Sequence, residues 1–153
     1  METQNLNIVS EVQLHYQSKI KPSERPKITT ATDVYNIMQN IPELMQNLEF
    51  KELFYAIYLN QGNKVLSVLK ISEGGTSNTV VDVKNILQGA ILQNATGVIL
   101  CHNHPSGSPN PSTADINLTK KIGKACDLFD IRLLEHLIIT SEDYYSFTSE
   151  RII

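Results

Sequence analysis

The sequence VILCHNHPSGSPNPSTAD occupies residues 98–115 and joins an apolar run, typical of a buried strand, to the apparent start of a helix. His102 and His104 lie two positions apart, so in an extended chain their side chains leave the same face of the strand. Cys101 and Asn103 leave the opposite face. The two imidazoles at the end of this strand can therefore close on one metal ion.

A third metal ligand is expected just downstream of the histidines. Prolines at 105, 109 and 111 exclude a regular strand or helix and predict a turning loop that brings the chain back. Ser112, followed three residues later by Asp115, is typical of a helix N-terminus with Ser112 as the N-cap. Two neutral imidazoles and one carboxylate leave a fourth tetrahedral position for water, which is the composition of a catalytic rather than a structural zinc site.

The spacing of these residues carries a resemblance to a known family. His102-x-His104, seven residues, Ser112, two residues and Asp115 resemble the H-x-H-x7-S-x2-D signature of the JAB/MPN (JAMM) metalloprotease superfamily. The longer string HNHPSGSPNPSTAD resembles the RadC-like branch of that superfamily. The resemblance extends from about Leu48 to the C-terminus, and it implies that the two histidines and the aspartate bind one Zn2+ per chain.

Periodicity predicts the main elements. Residues 52–60 are apolar on both faces, as in a central strand, and a turn follows them. Apolar residues recur at helical spacing in residues 83–94 and again in residues 112–129. Strands are expected at residues 52–60, 64–72, 97–104, 131–140 and 144–149, and amphipathic helices at 83–94 and 112–129. This interleaving predicts an α/β or α+β sandwich, and the resemblance implies a cytidine-deaminase-like three-layer arrangement with a mixed β-sheet flanked by helices.

The chain is expected to have two parts. Residues 1–47 are predicted to form an N-terminal extension and linker with a short helix, and a strand is expected within them at residues 8–16. Residues 48–153 are predicted to form the JAB/MPN (RadC-like) hydrolase domain.

An attacking water needs a general base, and Glu52, Glu73 and Glu135 are the candidates. Glu73 adjoins a Gly-Gly turn, where we expect it to be solvated. Glu52 opens an otherwise apolar strand, where a carboxylate is costly unless another group uses it. The resemblance implies that the catalytic glutamate lies on an early strand such as ELFYAIYLN, so Glu52 is preferred; the alternative is that it only marks the exposed start of the strand.

Three other residues near the site have predicted roles. Ser112 caps the helix, and the resemblance implies that its hydroxyl also supports the oxyanion of a tetrahedral intermediate. Cys101 is predicted to be a core thiol rather than a ligand. His136, in LLEHLII, is expected to be buried and hydrogen-bonded, and since RadC-like sequences have a histidine here, a role behind the metal site stays open.

These residues predict a zinc-dependent hydrolase, similar to metallopeptidases and isopeptidases, that acts on a peptide or protein amide. One alternative is a DNA-repair or recombination accessory of the RadC type, and another is a binding module without activity. A contiguous His-Asn-His does not indicate an HNH nuclease, whose residues are spread over a longer unit. The chain also lacks the P-C-x-x-C pair of zinc deaminases.

Composition indicates which kinds of partner the protein binds and in which compartment we expect it. A formal net charge of -3 gives no general attraction to nucleic acid, so nucleic-acid binding is not expected. Two cysteines do not make a disulfide framework, and no apolar run is long enough to span a membrane. We therefore expect a soluble cytoplasmic protein with reduced thiols.

Overall fold

A computed structural model describes residues 9–75 and 80–153 of the chain. Within these residues the strands form one five-stranded sheet in the order β2-β1-β3-β4-β5. The strands are β1 (Leu53–Leu59), β2 (Val65–Glu73), β3 (Gly97–Asn103), β4 (Arg132–Ile139) and β5 (Tyr144–Ser146). The α-helices are α1 (Ala31–Met38), α2 (Pro42–Gln46), α3 (Val83–Leu92) and α4 (Thr113–Asp127).

The sheet is mixed, as predicted. β1 pairs antiparallel with both β2 and β3, β3 pairs parallel with β4, and β5 adds antiparallel to β4. The parallel pair β3 and β4 is connected through α4, since parallel neighbours need a crossover and a helix usually supplies it. This connection brings the end of β3 and the start of α4 to the same edge of the sheet.

The two faces of the sheet bury separate apolar clusters. Alternate residues of the central strands, such as Leu53, Ile57 and Cys101, pack with α1 and α2. The intervening residues, such as Ala56 and Leu100, pack with α3 and α4. Helices on both faces confirm the three-layer α+β sandwich, and the burial of every residue of β1 and β3 explains why these strands are apolar on both sides.

The N-terminal region differs in part from expectation. The strand expected at residues 8–16 is wrong for 9–16, which form no strand, whereas residue 8 lies outside the described residues. The apolar side chains of Val12 and Leu14 are both 83% exposed, so this segment does not bury an apolar face against the rest of the described chain. α1 and α2, inside the predicted extension, bury Met38 and Leu44 against the sheet.

The helices of the described ranges pack as short surface-covering elements of the sandwich. α4, with 15 residues, is the longest among them. In residues 9–75 and 80–153 no helix combines the length and the apolar character that a bilayer span requires.

The contact between Gly89 on α3 and Tyr58 on β1 gives a test of the packing. A Cβ on Gly89 would clash with the Oη of Tyr58, a fully buried ring whose hydroxyl donates to the Ile86 carbonyl. We expect Gly89→Ala to lower the free energy of unfolding by about 1–3 kcal/mol, because the ring must move and break that bond.

Gly123→Ala on α4 is the matched control, since its Cβ would meet Leu133 at an ordinary 3.6 Å. That change should be neutral or stabilising by up to about 1 kcal/mol, because alanine is the better helix former. Urea denaturation of both variants measures the difference. Equal stability of the two variants would contradict the packing described for α3.

Candidate metal centre

Three side chains meet where β3 ends and α4 begins. The Nε2 atoms of His102 and His104 lie 3.0 Å apart. Asp115 places Oδ1 3.4 Å from the His102 Nε2 and Oδ2 3.3 Å from the His104 Nε2. His102 is fully buried, while the side chains of His104 and Asp115 are 15% and 16% exposed, so the group opens to solvent on one side. Together these residues form a group that can hold a metal ion.

The separations fit a small tetrahedral ion. Bonds of about 2.0–2.1 Å to nitrogen and oxygen place neighbouring tetrahedral ligands roughly 3.3–3.4 Å apart. Each oxygen of Asp115 makes one contact of this length, with a different imidazole, and the contact between the imidazoles is slightly shorter. The donor set, two imidazoles and a carboxylate, is also the kind that borderline-soft divalent ions accept. The residues present therefore fit a metal ion by their chemistry and by their proximity.

Local sequence explains the position of Asp115. The Ser112 hydroxyl accepts a hydrogen bond from the Asp115 backbone at 3.0 Å, and the Ser112 backbone donates to the Asp115 Oδ2 at 2.7 Å. This reciprocal capping box starts α4, as the spacing predicted. It also holds the carboxylate at the helix start, facing the histidines.

The close contacts in this group shift the pKa values of Asp115 and His104. Burial alone raises the pKa of Asp115, but the contacts with His102 and His104 outweigh burial and hold that pKa well below its usual range. Burial also lowers the pKa of His104, yet its bonds to the Asp115 carboxylate and to the Ser108 carbonyl outweigh burial and raise that pKa. A proton on His104 thus competes with a metal ion for this position.

Each histidine uses its second ring nitrogen for a different partner. The Nδ1 of His104 donates to the Ser108 carbonyl at 2.8 Å, inside the proline-containing loop. The Nδ1 of His102 lies 2.8 Å from the Nε2 of His136, which is fully buried as expected. Burial, with a smaller effect of His102, lowers the pKa of His136 well below its usual value. His136 therefore stands behind a candidate ligand as a neutral imidazole.

Glu52 lies on the same side of the sheet as the histidines. Phe54 is paired with His102 across β1 and β3, and residues two apart share a face, so Glu52 extends toward His104. Its charge contributes to the raised pKa of His104. Glu52 is only 7% exposed, which rejects the alternative of a freely exposed strand start.

The other two carboxylates considered as bases are held elsewhere. Glu73 forms ion pairs with Lys51 and Lys70 on the exposed surface, and hydrogen bonds from both lysines lower its pKa. Glu135 is buried and accepts hydrogen bonds from the Ser146 hydroxyl and from Thr148. It precedes His136 on β4 and so faces the other side of the sheet. Neither carboxylate lies in the group formed by His102, His104 and Asp115.

Sequence reasoning missed Asn103, which lies between the two histidines. Its buried side chain accepts from the Leu53 backbone at 2.8 Å and donates to carbonyls of the preceding turn, including that of Lys51 at 2.9 Å. The further acceptors are the carbonyls of Asn47 and Leu48. The position of Asn103 opposite the histidines was foreseeable, but its partners some 50 residues earlier in the chain were not. Asn103 thus fixes the segment that carries Glu52.

The prediction that Cys101 is a core thiol is confirmed. It is fully buried and belongs to the cluster on the α1 and α2 side of the sheet. Burial raises the pKa of this thiol, so it stays protonated and takes no part in the metal group on the other face.

Comparisons with known proteins agree with these features. Residues 28–152 match the family model described as a RadC-like JAB domain. A UPF0758 protein of Flavobacterium johnsoniae is 46% identical over 126 residues, which cover 82% of this chain and 53% of that protein. A UPF0758 protein of Chlorobaculum parvum is 34% identical over 149 residues, 97% of this chain and 65% of that protein. The chain thus spans about half to two thirds of the length of these two relatives.

The role of Asn103 predicts a large effect of a nearly isosteric change. Asn103→Asp keeps the acceptor for Leu53 but turns a second oxygen toward three carbonyls, so we expect it to lower the free energy of unfolding by about 3 kcal/mol at neutral pH. The introduced carboxylate should have a raised pKa in the folded state. Its penalty should therefore shrink as pH falls toward its unfolded pKa, where the protonated acid can donate again.

Chemical denaturation at about pH 7 and pH 5 measures this effect. Asn117→Asp, at an exposed position of α4, is the control and should change stability little at either pH. A loss for Asn103→Asp that is no greater than the control's, or that grows as pH falls relative to wild type, would contradict the role of Asn103.

Proposed function

The chain belongs to the family of RadC-like JAB domains, and from this premise we propose that it is a zinc-dependent hydrolase of amide or isopeptide bonds. The observation that carries the proposal is the convergence of two imidazole nitrogens and one carboxylate within 3.0–3.4 Å of one another at a partly open position. His102, His104 and Asp115 are the proposed ligands. The JAB/MPN superfamily includes metalloisopeptidases, which agrees with this chemistry.

Zinc is the proposed ion because of the ligands and their number. Two imidazoles suit a borderline-soft ion, whereas magnesium prefers shells made of oxygen alone. Three protein ligands are typical of a catalytic zinc site, since a structural site is closed by four. When bound, zinc supplies a Lewis acid that polarises a carbonyl and lowers the pKa of water.

Glu52 is the proposed general base and acid. It takes a proton from the attacking water and returns it to the leaving amine, which requires a carboxylate beside the ligands but outside their set. Its burial and its electrostatic effect on His104 support that place. The engagement of Glu73 by two lysines, and of Glu135 by hydroxyls, favours Glu52 over both.

Ser112 is proposed to stabilise the negative charge that develops on the carbonyl oxygen. Its hydroxyl oxygen already accepts a bond from the Asp115 backbone, and a hydroxyl can donate its hydrogen at the same time. Donation toward an oxyanion beside the ligands therefore does not require the cap of α4 to break. The proposed substrate is a peptide or protein amide that enters on the side where His104 and Asp115 are exposed.

The ligand assignment predicts metal loss on substitution. His104→Ala and Asp115→Ala should each lower zinc affinity by about 100-fold or more, because one of three protein ligands is removed. The variants should remain folded, since the core lies away from these side chains. Elemental mass spectrometry of the purified proteins measures zinc per chain, and His15→Ala, at an exposed histidine remote in sequence, is the control. Stoichiometric zinc in both ligand variants would refute the assignment.

The base assignment predicts a loss of turnover without a loss of metal. Glu52→Gln should keep zinc and the fold, yet hydrolysis of a substrate found in an unbiased peptide-cleavage screen should fall by about 100-fold or more, because the amide cannot accept the proton. Glu73→Gln, at the exposed ion-paired carboxylate, should keep nearly full activity. Unchanged turnover of Glu52→Gln would move the role to another group.

A further inference from the structure

A chain of hydrogen bonds leads from one proposed ligand to another through the core. The Nδ1 of His102 lies 2.8 Å from the Nε2 of His136. The Nδ1 of His136 lies 2.7 Å from the hydroxyl of Thr119, and that hydroxyl donates to the backbone carbonyl of Asp115 at 2.6 Å. The chain thus runs from β3 through β4 to α4 and ends on the residue whose carboxylate faces His102.

The direction of every bond follows from the group at its end. The Asp115 carbonyl can only accept, so the single hydroxyl hydrogen of Thr119 is committed to it. Thr119 must then accept from the Nδ1–H of His136. A neutral His136 with its proton on Nδ1 has only a lone pair on Nε2, which accepts from the Nδ1–H of His102. The Nε2 of His102 is left with a lone pair toward His104 and Asp115.

The surroundings of His136 favour its neutral form. The ring is fully buried, stacks on Phe147 with centroids 4.4 Å apart, and meets the edge of Phe54 at 5.6 Å. Burial among aromatic rings disfavours an added charge. The carboxylate of the preceding residue, Glu135, is turned to the other face of the sheet and is bound there by hydroxyls.

We propose that Thr119 and His136 are positioning residues that fix the tautomer of His102, so that its Nε2 lone pair is presented to the metal site. This inference rests on the proposed function, since it treats His102 as a ligand. It deepens that function by assigning a task to two residues outside the ligand set.

A comparison with His104 shows why His102 needs Thr119 to fix the position of its proton. His104 donates to the Ser108 carbonyl, an acceptor that cannot reverse its role. His102 is fully buried and has an imidazole as its partner, and a neutral imidazole can donate or accept at either nitrogen. Contact with His136 alone therefore does not determine which ring nitrogen of His102 carries the proton. The Thr119 hydroxyl removes this ambiguity because its hydrogen is already committed.

Loss of the Thr119 hydroxyl should release the proton of His136. With its Nδ1 no longer facing an acceptor, His136 can carry the proton on Nε2 and donate to the Nδ1 of His102. The proton of His102 then moves to its Nε2, where it blocks the lone pair that a metal needs. Thr119→Val removes the hydroxyl at nearly constant shape, whereas Thr119→Ser keeps it.

Two measurements on the full chain test the proposal. Nitrogen-15 NMR of the metal-free protein locates the proton of each histidine ring, and zinc affinity is measured by competition with a chromophoric chelator. We expect the His102 proton on Nδ1 in wild type and in Thr119→Ser, and a shift toward Nε2 in Thr119→Val. Zinc affinity should fall by about 10- to 100-fold in Thr119→Val and be restored in Thr119→Ser.

The outcomes separate this proposal from the proposed function. We call the hydrogen-bonded chain from His102 through His136 and Thr119 to the Asp115 carbonyl the relay. A wild-type His102 that carries its proton on Nε2 would overturn it. A Thr119→Val protein with the same tautomer and zinc affinity as wild type would also overturn it. The wild-type spectrum alone decides the first point, even if a variant does not fold. Wild-type protein that binds no zinc but shows the expected tautomer would overturn the proposed function and support the relay.

Discussion

The alternation of side chains along β3 is the constraint on which both the fold and the site depend. Cys101 packs in the cluster beside α1 and α2, and Asn103, on the same face, bonds to the segment before β1. Leu100 packs on the other face with α3 and α4, where His102 meets His136. A shift of register by one residue would exchange these sets, placing an imidazole in the apolar core and a thiol at the metal site. Pairing with β1 and β4 on both sides prevents this shift.

Adjacent residues of β3 therefore have different tasks: one stabilises the fold and the next belongs to the candidate metal site. Asn103 holds the turn before β1 through its amide, and this turn ends at Glu52. On the opposite face, His102 contacts the other two proposed ligands, His104 and Asp115, and also the buried His136. The placement of Glu52 relative to His102 thus depends on the pairing of β1 with β3, whereas Asp115 is placed by the start of α4. Such placement on rigid elements favours a preorganised site.

The parts of the site that are local in sequence could be predicted from it. The spacing of His102, His104 and Asp115, and the capping box at Ser112, are properties of one short window, and the structure brings these three side chains together. The hydrogen-bond relay could not be predicted, because Thr119 is 17 residues from His136 and their contact depends on how α4 packs on β4. The predicted strand is wrong at residues 9–16 for a similar reason, since alternation describes a strand's faces but does not supply a neighbouring strand to pair with.

The metal group also has to be tolerated by the fold when no cation is bound. Converging imidazoles and a carboxylate bury polar atoms, and such atoms are costly unless they are paired. The raised pKa of His104 and the lowered pKa of Asp115 favour an ion pair between these two side chains, which pairs part of the group. The proposed relay behind His102 would then matter for a second reason, because it would leave the Nε2 of that ring able to accept a hydrogen bond from the His104 Nε2, 3.0 Å away. The same hydrogen-bond directions therefore suit both the metal-free protein and the proposed zinc site.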